Sequence, residues 1–251
     1  MRDSSEKYAK HYNHIIFDAA MRKLYEGSNF FNVGYWRDVQ PVATDKLNAA
    51  CEALVRAHID LDPARGTLAG DILDVGCGLG NTTRMFADAY PRARLTGVNF
   101  SAEQIDFASR SYPELHFIQK DASRLDLPSN SVDGIFCVEA AFHFNTRQDF
   151  LREAFRILKP GSRLIFSDVL YTRSIYGIPK ENTGLSVEAF LAQIWGIGWE
   201  VETCLDITDN TGTPYLNLLI ESGFERAGRI WIKLLERYLL LALKKPRITA
   251  A

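Results

Sequence analysis

Between residues 70 and 170 the sequence alternates strand-length apolar runs with helix-length amphipathic stretches, and few folds accept that beat. "GDILDVG" (70–76) reads as a buried strand. "NTTRMFADAY" (81–90) reads as a helix begun by Asn81 and ended before Pro91. "RLTGVNF" (94–100) is a second strand. Ser101 then offers an N-cap, with Gln104 at the capping-box position, to a helix running through Arg110. "LHFIQKDA" and "VDGIFCVEA" supply a third and a fourth strand, "TRQDFLREAFRIL" a helix closed by Lys159, Pro160 and Gly161, and "RLIFSDVL" (163–170) a fifth strand. Parallel neighbours are reached only by crossovers, so this order implies βαβ units and a parallel sheet covered on both faces.

The flanks are less regular. Tyr8, Tyr12, Ile15, Ile16, Ala19, Ala20 and Leu24 recur at three- and four-residue steps, which predicts one or two amphipathic helices. An aromatic knot, "NFFNVGYW" (29–36), follows, and then a helix over 44–59 with Thr44 as its N-cap. Beyond the fifth strand, 171–185 is a polar loop, Ser186 caps a helix through Ile194, and "WEVETCLDI" (199–207) is a sixth strand. "PYLNLLIESGFERAGRIWIKLLER" is helical at least in part, and "RYLLLALKKP" is a seventh strand. The expected architecture is an α/β, Rossmann-like, doubly wound sheet of seven mostly parallel strands. An N-terminal helical extension (1–66) precedes the wound domain (67–251), which carries a cap insertion around 171–198.

Composition narrows the function. With 29 basic and 31 acidic side chains the net charge is -2, which gives no global electrostatic case for nucleic acid or an anionic membrane. Cys51, Cys77, Cys137 and Cys204 form no CxxC pair, so a reduced, cytoplasmic setting is expected. The N-terminus lacks the apolar core of a signal peptide, and no stretch reaches the ~18 apolar residues of a membrane span. The acidic residues do not cluster at ligand spacing, and no metal is expected.

In an open parallel sheet, ligands sit beyond the carboxyl ends of the strands, and the first strand-to-helix turn brings backbone close to them. Here that turn is "LDVGCGLGNTT" (73–83), with glycines at 76, 78 and 80. The dinucleotide signature places its third glycine one residue later, where this chain has Asn81, and no Gly-Lys-Ser/Thr follows to make a P-loop. Asp74 sets a carboxylate beside the turn, which suits an ammonium or hydroxyl group better than a pyrophosphate.

"LDVGCGLG" resembles motif I of the class I S-adenosylmethionine-dependent methyltransferases, and the matches continue in order. "GVNFSAEQ" is similar to the family's second-strand end, "KDASRLDLPSNSVDGIFCVEAAFHF" to its third and fourth strands, and "ILKPGSRLIFSDV" to the turn into its fifth. The likeness covers roughly residues 70–245, with "YLLLALKKP" as the antiparallel strand that inverts the sheet edge. It implies S-adenosylmethionine as cofactor. Asp74 and the backbone of Gly76, Cys77 and Gly78 would hold its methionine end, with Tyr35 reaching the carboxylate. Asn99, Phe100 and Gln104 would hold the ribose, Asp121 and Ala122 the adenine edge, and Glu139 would line the sulfonium side. Many members carry an acidic residue where this chain has Asn99, and "GVN" is similar to the small-molecule branch.

On the acceptor side, the resemblance places "VEAAFHF" over the transferable methyl, with His143 as general base and Asp168 orienting or charge-stabilising it. A packed rim histidine is the plainer alternative. "FFNVGYW" resembles a segment of sugar and macrolide O-methyltransferases, where aromatic faces enclose the sulfonium; core packing is the equal alternative for Phe30, Phe31 and Trp36. Tyr8, Tyr12, Phe144, Tyr176 and Trp195 are the acceptor-lining candidates. The function implied is methyl transfer to a hydroxyl of a small-molecule secondary metabolite. C- or N-transfer to a prenyl, indole, phenol or amine acceptor is the enzymatic alternative, and an inactive binding protein of this fold the non-enzymatic one. A small-molecule acceptor is the expected partner, without nucleic acid or membrane, and a homodimer is left open.

Overall fold

In the computed structural model, residues 13–175 and 177–247 are described. Seven strands form one sheet: β1 (Gly70–Val75), β2 (Ala93–Asn99), β3 (His116–Gln119), β4 (Val132–Val138), β5 (Leu158–Tyr171), β6 (Glu200–Asp206) and β7 (Leu235–Lys244). Their spatial order is 3-2-1-4-5-7-6. Strands β1 to β5 pair in parallel, and β7 is antiparallel to both β5 and β6. The antiparallel strand is therefore inside the sheet, and β6 forms the edge. Burial explains the exchange: Tyr238 to Leu243 of β7 are all buried, whereas β6 carries Glu200 and Glu202 and keeps much of its surface in water.

The helices are α1 (Ala19–Leu24), α2 (Leu47–Asp60), α3 (Asn81–Ala89), α4 (Ala102–Ser111), α5 (Arg147–Ile157), α6 (Val187–Ile197), α7 (Gly212–Glu221) and α8 (Glu225–Leu234). Successive strand residues feed opposite cores. Ile72, Phe136, Val138, Ile165 and Val169 pack with Leu54, Val55 and Phe86 of α2 and α3, while Leu73, Val75, Ile135, Cys137 and Phe166 pack with Phe150, Leu151 and Phe190 of α5 and α6. Both faces being covered, the strands are apolar at consecutive positions, as the sequence pattern requires. Phe86 stacks on Phe136 at 4.2 Å, and each such fully buried ring is worth about 2–3 kcal/mol.

Local chemistry sets the helix starts, with one departure from expectation. Ser101 and Ser186 cap α4 and α6 by accepting from Gln104 N and Ala189 N, both at 3.2 Å. Thr44 is not a cap: it opens a short 3-10 turn (Thr44–Lys46), and α2 starts after it without a side-chain cap. Asn81 is the first residue of α3, as expected, and Gly80 in left-handed conformation makes the entry. The aromatic knot divides. Trp36 and Phe30 are core, with Trp36 Nε1 donating to Val33 O at 2.9 Å, while Phe31 is half-buried.

Strand order reverses between β1 and β4, and the crevice beyond their carboxyl ends is where this fold receives ligands. The β6-to-β7 connection, α7 and α8, covers one side of that crevice.

Candidate active site

The three glycines in the turn after β1 serve two purposes. A Cβ on Gly76 would stand 2.3 Å from the Ala140 Cβ, and one on Gly80 about 3.0 Å from Ala108, Phe117 and Tyr112; these two are bare so that the turn can pack. A Cβ on Gly78 would meet nothing within 4 Å, so only this glycine presents open backbone to the crevice. The Gly76 and Cys77 amides both donate to Val98 O, at 2.8 and 3.1 Å, leaving those of Gly78 and Leu79 without an acceptor among the described residues. Asp74 is buried beneath. Its Oδ2 accepts from Thr82 Oγ1 and Thr83 Oγ1, both at 2.6 Å, its Oδ1 is without a hydrogen bond, and burial raises its pKa to about 6. Asp74 thus braces the α3 start, and Thr82 is the member of the group that lines the crevice.

At the end of β2, Asn99 Nδ2 donates to Gln104 Oε1 at 2.7 Å, and Asn99 Oδ1 accepts from the Phe100 amide at 2.8 Å. Asn13 closes over them, accepting from Gln104 Nε2 at 2.7 Å and Ser101 Oγ at 2.9 Å. After β3, Asp121 Oδ1 accepts from the Ser123 amide and hydroxyl, at 2.9 and 2.7 Å, an Asx turn that leaves Oδ2 without a partner among the described residues. After β4 the chain passes through Glu139, held at φ 52°, into a short 3-10 turn (Ala141–His143). Glu139 Oε2 accepts from the Val33 amide at 2.9 Å and the Tyr238 hydroxyl at 2.8 Å, and its amide donates to Ser167 Oγ at 3.0 Å. Burial pushes its carboxyl up to about 7.

These elements enclose one cleft of about 1100 Å³. Gly76, Cys77, Gly78, Asn99, Phe100, Gln104, Asp121, Ala122, Glu139, His143 and Phe144 all line it, as do Phe31 and Thr82. A second cavity, about 1190 Å³ and mostly apolar, lies beneath α7 and α8. The two share three residues in their walls: Phe31, Glu139 and His143. The His143 ring packs on Phe142 at 4.1 Å, with Nδ1 3.3 Å from Gly177 O.

Four expected placements differ. Asp168 is not joined to His143. It is buried against the equally buried Arg147, with Asp168 Oδ2 2.6 Å from Arg147 Nε, and its Oδ1 accepts from the Val169 amide. The guanidinium takes that carboxylate because nothing else in the apolar core balances its charge. Tyr35 lines neither cavity; the Arg37 guanidinium lies 5.4 Å over its ring. Trp195 stands 56% exposed on α6, away from both cavities, because α6 covers the opposite face of the sheet. Phe144 packs edge-on against Phe150 at 5.1 Å and faces the first cleft, not the apolar cavity. Tyr8, Tyr12 and Tyr176 lie outside the described residues.

The model for the family described as "Methyltransferase domain" matches residues 73–166, which hold this turn and the first four strand ends. The chain is 28% identical to an O-methyltransferase of Pyrenophora dematioidea over 222 residues, 81% of this chain and 80% of that one. It is 30% identical to O-methyltransferase rstn1 of Aspergillus nomiae over 204 residues, 74% of this chain and 87% of the relative. The chain belongs to the class I S-adenosylmethionine-dependent methyltransferases. The geranyl diphosphate C-methyltransferase of Streptomyces coelicolor A3(2), solved with S-adenosyl-L-homocysteine among its ligands, shares the fold of this methyltransferase. Its TM-score is 0.72 at 20% identity, over 96% of this chain and 97% of that one.

The cleft of the methyltransferase fits its cofactor. Open backbone at Gly78, a spare carboxylate oxygen on Asp121 and the polar cluster at Asn99 and Gln104 lie along one crevice, and among the described residues no Lys or Arg other than Lys120 lines it, as suits a cationic sulfonium ligand. No pattern in the sequence announces the apolar cavity. Leu216, Leu219, Ala227 and Trp231 follow helical spacing in the α7–α8 segment, but such a stripe reads equally as ordinary core packing.

Proposed function

We propose that the methyltransferase transfers the methyl group to a hydroxyl of a small-molecule metabolite seated in the apolar cavity, with His143 accepting the hydroxyl proton. The shared wall of Phe31, Glu139 and His143 carries this reading: it is where a donor in one cavity and an acceptor in the other can meet. S-adenosylmethionine, when bound, supplies an electrophilic methyl on a sulfonium. Gly78, Thr82, Asn99, Gln104, Asp121 and Ala122 would hold it, with Glu139 offering a carboxylate at the wall. The protein's contribution is to hold the two reactants in line, exclude water by burial, and take up one proton. His143 is the base proposed at that wall, its ring packed against Phe142 with Nδ1 3.3 Å from the Gly177 carbonyl. Asp168 has no part in the proton step, being committed to Arg147.

C-transfer is the second reading, favoured by the aromatic and carboxylate character of the same wall. Incubating the protein with S-adenosylmethionine and matched phenol, aniline and electron-rich arene acceptors, with mass-spectrometric location of the new methyl, separates them. Methoxy products are expected, and products methylated on carbon or nitrogen alone would overturn O-transfer.

A further inference from the structure

The apolar cavity carries a selection rule in its lining. No Lys, Arg or Asp lines it among the described residues, and its walls are built from Met21, Val33, Phe142, Leu216, Leu219 and Trp231. Four tyrosines line it, Tyr25, Tyr171, Tyr215 and Tyr238, and the hydroxyls of Tyr25, Tyr215 and Tyr238 are committed. Tyr25 lies 3.0 Å from both the Asn32 carbonyl and the Tyr215 hydroxyl, an arrangement that uses one proton from each ring. Tyr238 donates to Glu139 Oε2. Glu139 Oε1 takes no hydrogen bond from the described residues, so the cavity holds one uncommitted carboxylate oxygen, at the wall it shares with the cofactor cleft.

We propose that this cavity admits neutral, largely apolar acceptors bearing an isolated hydroxyl, and that Glu139 rejects acceptors bearing a carboxylate or phosphate. The inference rests on the apolar cavity being the acceptor site. An anionic substituent entering it would lose its water, find no cation, and face a carboxylate. A sugar ring would bury several hydroxyls against aliphatic and aromatic carbon, each leaving hydrogen bonds unmade. A lone hydroxyl directed to the wall meets a carboxylate oxygen that takes no hydrogen bond from the described residues.

The test measures binding, without turnover, on protein saturated with S-adenosyl-L-homocysteine, by calorimetric titration at about pH 8, where a carboxylic acid is fully ionised. The probes are 2-naphthol, 2-naphthoic acid and 2-naphthyl glucoside. Expected are saturable binding of 2-naphthol and at least about tenfold weaker binding of the other two, a factor equivalent to about 1.4 kcal/mol. Glu139→Gln is expected to bring naphthol and naphthoate to within about threefold of each other. Ala227→Arg, at an exposed position on α8 that also lines the cavity, is expected to strengthen naphthoate binding at least about tenfold by supplying the missing cation. Naphthoate or the glucoside binding as tightly as naphthol to the unmodified protein, no binding of naphthol, or an unchanged ratio in Glu139→Gln would each overturn the proposal. Because binding is read without methyl transfer, a protein that shows the selectivity yet methylates no hydroxyl contradicts the proposed reaction and leaves the cavity rule standing.

Discussion

At the residue scale, Glu139 combines three unusual properties: a left-handed backbone, a buried carboxyl with a pKa of about 7, and a place in the wall of both cavities. Non-glycine residues seldom hold positive φ, and strain of this kind concentrates at functional positions. The raised pKa has a stability consequence with a definite sign. The folded protein holds this proton more tightly than the unfolded chain does, so stability is lost as pH rises from about 4.5 to about 7. Glu139→Gln removes that dependence. Denaturant titrations of the cofactor-free proteins should show the wild type falling relative to the variant by about 3 kcal/mol across that window, whereas parallel pH curves would remove burial as the cause. Glu139 was legible in the sequence as a strand-end acid, but its partners, Val33 and Tyr238, lie 106 and 99 residues away and no local pattern announces them.

At the scale of elements, the glycine turn, the strand ends and the caps at Ser101 and Ser186 follow directly from local chemistry, and the sequence showed them. It read the glycines as one device, however, and the structure separates them. Gly76→Ala should cost about 2–4 kcal/mol in unfolding titrations, because it sets a methyl 2.3 Å from Ala140 at positive φ. Gly78→Ala should cost about 1 kcal/mol, from φ alone, while weakening S-adenosylmethionine at least about tenfold in calorimetric titration. Equal stability losses with unchanged cofactor affinity would refute this division. The acceptor side was less legible. Of the cap expected around 171–198, Tyr171 and Gly177 line the apolar cavity while α6 packs on the other face of the sheet, and α7 and α8 also lie over the cavity. Amphipathic spacing identifies a buried face but not the surface it buries against.

At the scale of the whole molecule, one buried ion pair ties the second core together. Arg147 begins α5, pairs with Asp168 on β5, and donates from Nη2 to the Val169 and Asn182 carbonyls at 3.0 and 3.2 Å; the Asn182 side chain returns to Phe142 O and Phe144 O. Removing one partner strands a charge in the core, so Asp168→Asn should destabilise the protein by about 3–5 kcal/mol in denaturant titration, with cofactor affinity of the folded fraction unchanged. A stable variant with collapsed turnover would instead make Asp168 part of the proton step. The strand order and both covered faces follow from the βαβ beat, but Asp168 looked like a partner for His143 because both end strands on one rim, and only the position of Arg147 redirects it. The measurement that bears most directly on methyl transfer across the shared wall is turnover by His143→Ala against wild type on a hydroxylated acceptor, with S-adenosylmethionine affinity measured in parallel. A loss in kcat of about a hundredfold or more, with cofactor affinity within about twofold, is the predicted result. Turnover equal to wild type would contradict a proton-accepting His143 at that wall.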